Sequence, residues 1–405
     1  MGAHAAPGEV VVAAATRVVI IGAGPAGLAL ANILHDNGID CVLLEARTRA
    51  FIEQRPRAGF IEEWAVRGLD AHGLADGLLR SAPTHSGFEF RFEGARHPFD
   101  YTRWAGQRHF VYPQQVLITD LVARYVERGG RVLFEVTDAV PRAIESGTPA
   151  VTYTDPETDA PTRLDCDFVA GCDGAQGVTR GLVGGRTLSH DYGVGWLALL
   201  AEAPPSSDGV MFGIHPRGFA AHMARTPQVT RFYLQCPPGD AVENWPDVRV
   251  WEELHARLGV PGGPITGGPL IEKRVLSMHN YVTEPMARGR LFLAGESAHL
   301  VAPIAAKGLN LALHDAFHLA SALLTHYLGG EDGPLARYSE TCLARVWQYQ
   351  EFSQWLSDIF HSSTLDPPPD PFRARLAQAR LRRLLASPAA AASFSEIYIG
   401  KAADF

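Results

Sequence analysis

A chain of 405 residues with 46% hydrophobic content can bury the cores of two or three domains and reads as globular. Its formal charge of −8 leaves no basic footprint for DNA or RNA, which excludes nucleic acid as a partner. The 5 cysteines, Cys41, Cys166, Cys172, Cys236 and Cys342, are widely spaced and contain no CxxC pair, so reduced, packed thiols are expected rather than zinc or redox chemistry.

In chain order, residues 1–16 read as a flexible extension. The stretch from Val10 to Ala31 is apolar enough for a signal or a span. Thr16 and Arg17 interrupt it, however, and a glycine turn fills its centre, so a cytoplasmic strand and helix are expected, with no membrane partner. Val18 to Ile21 is a strand, GAGPAG a turn from Gly22 to Gly27, Leu28 to Asn37 a helix, and a second strand ends in Glu45. Gly22 permits the tight turn, Gly24 lets backbone approach a pyrophosphate, and Gly27 lets helix and strand pack closely, with Ala26 between them. The helix N-terminus attracts phosphates, and Glu45 lies near the spacing of about 20 residues at which an acid holds a ribose hydroxyl. A dinucleotide-binding unit is expected.

Mixed segments lead to another strand and glycine turn at Phe168 to Gly177, which places a nucleotide domain with insertions over 17–190. From about Gly193 to Val275 apolar residues alternate in short runs, the pattern of antiparallel sheet, and 191–279 is expected to be a substrate domain. On its strand Phe219 to Arg225, Ala221, Met223 and Arg225 share one face and His222 takes the other. An apolar strand, Arg290 to Ala294, runs into GESAHLVAPIAAKGLN, Gly295 to Asn310, which opens a long helix. That returns 280–328 to the nucleotide domain. Helical periodicity fills 329–405, broken by the proline run Pro367 to Pro371, and the fold class is mixed α/β (α+β). His190, His222 and His299 lack metal-ligand spacing, so no metal is expected. No GxSxG elbow supports a serine triad.

GAGPAG, DCDFVAGCDGAQGVTR at Asp165 to Arg180 and GESAHLVAPIAAKGLN follow one another in this order. RPRAG at Arg55 to Gly59, YPQ at Tyr112 to Gln114 and HPRGF at His215 to Phe219 accompany them. With these motifs the chain, from about Arg17 to Gly400, resembles the flavoprotein aromatic hydroxylases, the group A FAD-dependent monooxygenases, and within them the hydroxybenzoate branch. The resemblance implies an FAD-binding domain, a sheet over the substrate and a helical cap. FAD would be reduced by NADPH or NADH, and oxygen from O2 would reach a single-ring aromatic carboxylate through a flavin hydroperoxide. The expected partners are that small carboxylate and O2, with a homodimer as the assembly. The rival readings are another FAD oxidoreductase of this fold, a halogenase or reductase, and a flavin-free NAD(P) dehydrogenase.

Carried over position by position, the resemblance puts the flavin's pyrimidine edge at Gly308, Leu309 and Asn310, whose backbone N–H groups and helix dipole favour negative charge. It assigns Glu296, where the family has Asp, to the ribityl chain and Asp173 to the second nucleotide fingerprint. Arg55 and Arg57 are assigned to phosphates, and Gln114 to the cofactor. Gln176 and His279 replace a His and an Arg linked to NADPH, leaving the nicotinamide preference open. Arg225 and Tyr233 match the substrate's carboxylate contacts, while Met223 replaces a serine and cannot donate. Pro303 is retained in the flavin-facing loop, and Ile304 and Ala305 make that wall bulkier and more apolar. Tyr398 matches one of two tyrosines that relay the phenol proton, but Phe212 stands in place of the other. Loss of that first hydroxyl points to an electron-rich ring, such as 3-amino-4-hydroxybenzoate.

Overall fold

The computed structural model describes residues 11–57, 59–361 and 370–401. Three strands, β1 (Val18–Ile21), β2 (Cys41–Leu44) and β3 (Phe168–Gly171), are buried at every position, as strands covered on both faces must be. They pair in parallel within a six-stranded sheet ordered Ala287–Arg288, Leu291–Leu293, β3, β1, β2, Arg131–Leu133. α1 (Pro25–Asp36) leaves β1 through the glycine turn and packs against α2 (Gly308–Leu324), so both glycine-rich segments arrive at one edge of this sheet. Leu28, Leu30, Leu313 and Leu319 on these helices are fully buried, each contributing roughly 1.5–3 kcal/mol.

The extension expected over residues 1–16 is shorter than that. Val11–Val12 pairs in parallel with Pro161–Asp165, and the N–H groups of Ala13 and Thr16 donate to the carbonyls of Arg163 and Asp165. The free edge of that strand offers backbone partners that a nearby apolar segment can satisfy. Residues 1–10 lie outside the described residues.

β4 (Arg186–Ala201), β5 (Val210–His215), β6 (Gly218–Thr226), β7 (Val229–Cys236) and β8 (Leu270–Glu284) build the second sheet. Its eight strands run in the order His299–Leu300, β8, β4, β7, β6, β5, Gly87–Phe92, Ala95–Asp100. All neighbours are antiparallel except β5 and Gly87–Phe92. The antiparallel character is as expected, but the boundaries at 190 and 279 fall inside strands. The β4–β8 ladder begins at Arg186 opposite Glu284 and runs past an irregularity between Asp191 and Gly195, so one continuous pairing belongs to both domains.

Alternation sorts the two faces of this sheet. Leu197 and Leu199 join Trp245 and Leu254 in one cluster, under the helix Asp247–Leu258, whereas Trp196, Phe212 and Ala221 belong to another. α3 (Gly333–Phe360), α4 (Pro371–Ala386) and α5 (Pro388–Tyr398) close that second side with Phe352, Phe360, Leu381, Phe394 and Tyr398. Of the run Pro367 to Pro371, only Asp370 and Pro371 are described. They start α4, with the Asp370 carboxylate capping the N–H groups of Phe372 and Arg373. All five cysteines are buried and free. Among the described residues no helix is long and apolar enough to cross a membrane.

Candidate active site

The turn after β1 has one open side. A Cβ on Gly22, whose φ is +107°, would lie 2.2 Å from the Cys172 carbonyl oxygen, and one on Gly27 would lie 2.0 Å from that of Gly22. Both glycines are therefore required by backbone packing. A Cβ on Gly24 would meet nothing within 4 Å, and α1 has no side-chain cap there, so its first N–H groups face free space. Glu45 at the end of β2 is held by the N–H groups of Ala23, at 2.7 Å, and Arg47, at 2.8 Å, which fixes a carboxylate beside that space. An open, donor-lined cradle with a fixed acid fits the pyrophosphate and ribose of a dinucleotide.

The second glycine-rich segment packs beside the first and is tied to Arg57 of the RPRAG segment. A Cβ added at Gly295 would lie 3.5 Å from that of Ala26, and Arg57 reaches Glu296 at 2.9 Å. Glu296 is thus paired with Arg57 while still partly exposed. The first turn of α2, Gly308 to Asn310, also lacks a side-chain cap. The Asn310 side chain is spent within the protein: its amide nitrogen donates to the carbonyls of Phe60 and Ala306 and its oxygen accepts from the N–H of Glu62. Asp173 is engaged by its own loop. Thr179 engages both carboxylate oxygens, by its N–H at 3.0 Å and its hydroxyl at 2.5 Å, so Asp173 shapes the loop. Gln114 is half-buried at the first position of the helix Gln114–Glu127.

Lys307, immediately before α2, was not singled out by its sequence position. It is fully buried, donates to Glu62 at 2.5 Å and to the carbonyls of Tyr398 at 2.6 Å and Ile397 at 3.1 Å, and lies over the Tyr349 ring. Glu62 also accepts from Trp64 and Tyr349. Burial lowers the pKa of Lys307, and the charge of Glu62 opposes that shift. Lys307 therefore joins the N-terminus of α2 to Glu62 by an ion pair and to the segment carrying Tyr398 by hydrogen bonds to its carbonyls. Its only signal in the sequence is a lone cation in the apolar run VAPIAAKGLN.

A cavity between the second sheet and the loop before α2 brings together Phe212, Met223, Tyr233, Pro303, Ile304 and Tyr398. Ala221, expected on the face of Met223, and Ala305 also line it, and Trp196 and Phe60 add aromatic wall that was not foreseen. Pro303 is exposed into this space from a short 3-10 turn that ends in the left-handed Ala306, φ 54°. His222 lies on the opposite face of β6, fully buried against Phe232, as alternation requires. Arg225 departs from simple alternation, because the β6–β7 register shifts between Ala224 and Thr226. It is half-buried, is not among the residues lining the cavity, and makes no hydrogen bond or ion pair among the described residues. Burial lowers its pKa; Tyr233 and Glu272 oppose the shift and Arg231 adds to it.

Behind Tyr398 lies a buried polar pair, His109 and Tyr101, joined at 3.2 Å, with the Tyr101 hydroxyl donating to the His85 carbonyl. Burial, and next the charge of Lys307, hold His109 well below its usual pKa, and burial with Glu62 pushes the Tyr398 phenol up. Trp196 donates to His361 at 2.8 Å, and burial lowers that imidazole to about 3. Away from the cavity, His299 pairs with buried Asp315 at 2.6 Å, and His314, Asp315 and Cys342 bring ligand-type atoms within 4.8 Å of one another.

A profile of the FAD binding domain family matches residues 15–353. p-Hydroxybenzoate hydroxylase of Acinetobacter baylyi is 37% identical over 390 residues, covering 95% of this chain and 95% of the relative. The chain belongs to the FAD-dependent aromatic hydroxylases. A 3-(3-hydroxy-phenyl)propionate/3-hydroxycinnamic acid hydroxylase of Mycolicibacterium smegmatis is 27% identical over 319 residues, 75% of this chain and 54% of that longer relative. The crystal structure of p-nitrophenol 4-monooxygenase from Pseudomonas putida has the same fold, with a TM-score of 0.81 over 97% of this chain and 100% of its own at 20% identity. The hydroxylase is thus a flavoprotein monooxygenase using FAD and NAD(P)H, and the flavin-free dehydrogenase reading is set aside.

Proposed function

We propose that this hydroxylase oxidises a single-ring aromatic carboxylate, 4-hydroxybenzoate or a more electron-rich ring such as 3-amino-4-hydroxybenzoate. The observation that carries this reading is Arg225, a half-buried guanidinium with no hydrogen-bond or ion-pair partner among the described residues, whose charge is felt by Tyr233 of the cavity wall. Such a group costs free energy until an anion arrives, and a carboxylate offers it two parallel hydrogen bonds. The relative acting on p-hydroxybenzoate supports the same class of ring.

FAD held between the glycine turn and the N-terminus of α2 would supply electron transfer from NAD(P)H and the activation of O2. Arg225 and Tyr233 hold the carboxylate and so fix which ring carbon faces the Pro303 loop. Trp196, Phe212, Met223 and Ile304 clamp the ring and exclude water. Tyr398 lines the cavity, and its hydroxyl has no side-chain hydrogen-bond partner among the described residues. Phe212 lines the same cavity without a hydroxyl, so a phenol has no side-chain chain of donors along which to lose its proton. A ring enriched by an amino group needs that loss less.

Binding of benzoates to the flavin-loaded protein, followed by perturbation of the flavin spectrum, tests this reading. Arg225→Ala should weaken carboxylated rings by about 2–4 kcal/mol, roughly 30- to 1,000-fold, and amides of the same acids should bind the normal protein poorly. Equal binding of acid and amide refutes the proposal.

A further inference from the structure

Two buried polar atoms with no hydrogen-bond partner among the described residues face each other inside the nucleotide domain. They are Asp315 Oδ1 and His314 Nδ1, from consecutive residues of α2, and they lie 3.7 Å apart, beyond hydrogen-bond distance. Asp315 is 0% exposed and His314 8%. Cys342 on α3, also 0% exposed, brings its Sγ to the same place, so that nitrogen, oxygen and sulfur all lie within 4.8 Å of one another. A carboxylate oxygen left unpaired in a core costs free energy, and folded proteins rarely carry one without a ligand or a water to meet it.

The other half of the carboxylate is fixed. Asp315 Oδ2 accepts from the N–H of Gly295 at 2.8 Å and from His299 Nε2 at 2.6 Å. Those two donors keep Oδ1 turned toward His314 and Cys342, as outer hydrogen bonds hold a metal-ligating carboxylate in place. α2 and α3 pack against each other, so the three ligand atoms come from two elements that the fold already holds together. One turn farther along α2, His318 is exposed, and its ring lies 4.3 Å from that of His314. The cluster thus sits one side chain beneath the surface, which gives an ion a short way in.

We propose that His314, Asp315 and Cys342 bind a zinc ion, with a water as the fourth ligand. Imidazole nitrogen, carboxylate oxygen and thiolate sulfur are all zinc ligands, and bonds of about 2.0–2.3 Å around one tetrahedral centre put such atoms roughly 3.3–3.8 Å apart. The separation of His314 and Asp315 already has this value, and the thiol has to close by about 1 Å at most. The imidazole and the thiolate favour zinc over magnesium or calcium. On binding, the Cys342 thiol passes its proton to water, and thiolate and carboxylate together balance the charge of the dication. The ion ties α2 to α3 and, through Asp315, to Gly295 at the head of the second glycine-rich segment. The site is separate from the aromatic cavity and does not depend on which ring the hydroxylase oxidises.

Tag-free, FAD-loaded protein equilibrated with zinc and then desalted tests the proposal without turnover. Elemental mass spectrometry should find one zinc per chain, and X-ray absorption at the zinc edge should show a single sulfur at about 2.3 Å among lighter ligands. Cys342→Ala should abolish that sulfur signal and the retained ion. His314→Gln, at the less buried ligand, should raise the zinc dissociation constant at least about tenfold. Zinc should raise the midpoint of thermal unfolding of the wild type and leave that of Cys342→Ala unchanged. Failure of the wild type to retain zinc overturns the proposal. Zinc held by nitrogen and oxygen alone also overturns it, by placing the ion on surface histidines, as does equal retention by both variants. Where a variant loses its flavin, the sulfur signal of the wild type decides by itself.

Discussion

Replacing Lys307 with Met probes the joint between the flavin-facing helix and Tyr398. The ammonium and the Glu62 carboxylate are both 0% exposed and 2.5 Å apart, so removal of the cation strands a buried anion, at a cost of about 3–5 kcal/mol. The carbonyls of Ile397 and Tyr398 also lose a donor, at about 1 kcal/mol each. In the double variant with Glu62→Gln no charge is stranded, and the amide still meets Trp64 and Tyr349. Its cost should be about 1–2 kcal/mol, giving a coupling energy of at least about 2 kcal/mol. Urea unfolding of the flavin-loaded protein, followed by circular dichroism and flavin fluorescence, measures all four proteins of this cycle. The single variant should recover stability as pH falls, because an unpaired buried carboxyl titrates above its unfolded value and the folded state then binds the extra proton. A Lys307→Met protein within 1 kcal/mol of the wild type, or a strictly additive double variant, would refute the reasoning.

Three further outcomes are expected. On 4-hydroxybenzoate the unmodified hydroxylase should release much of its consumed NAD(P)H as hydrogen peroxide, whereas 3-amino-4-hydroxybenzoate should couple better; tight coupling on the former would remove the electron-rich-ring argument. Phe212→Tyr should raise the yield of hydroxylated product from 4-hydroxybenzoate, measured beside peroxide, and an unchanged ratio would mean that the new hydroxyl does not meet Tyr398. His361 is neutral when folded, with a pKa lowered to about 3 by burial, against about 6.5 unfolded. Its contribution is therefore intact above pH 6.5 and is lost as pH falls toward 3, about 2 kcal/mol between pH 6.5 and 5. His361→Gln should flatten that part of the stability profile, and an unaltered acid slope would place the sensitivity elsewhere.

What the sequence made legible was local. Gly22, Gly24, Gly27 and Glu45 could be read because a tight turn, a close approach and an acid at fixed spacing are demands on consecutive backbone. The opposite facing of Met223 and His222 was legible from the period of a strand. Lys307 and Glu62 were not, being 245 residues apart with no pattern that links them. Trp196 was not legible because its place on the cavity side depends on how β4 pairs with β7 and β8, and the shift of register at Arg225 has no signature in the residues around it. That Thr179 donates to both oxygens of Asp173 was not legible either, because the motif does not show how its loop folds back.

The most direct measurement is mass spectrometry of the products formed by the FAD-loaded protein with NAD(P)H, isotopically heavy O2 and a panel of hydroxy- and amino-hydroxybenzoates. One ring should gain a single hydroxyl carrying the heavy oxygen, with NAD(P)H oxidation stimulated by that acid and not by its amide. Stimulated oxidation that yields only peroxide across the whole panel, or a product whose new oxygen comes from water, would contradict the account.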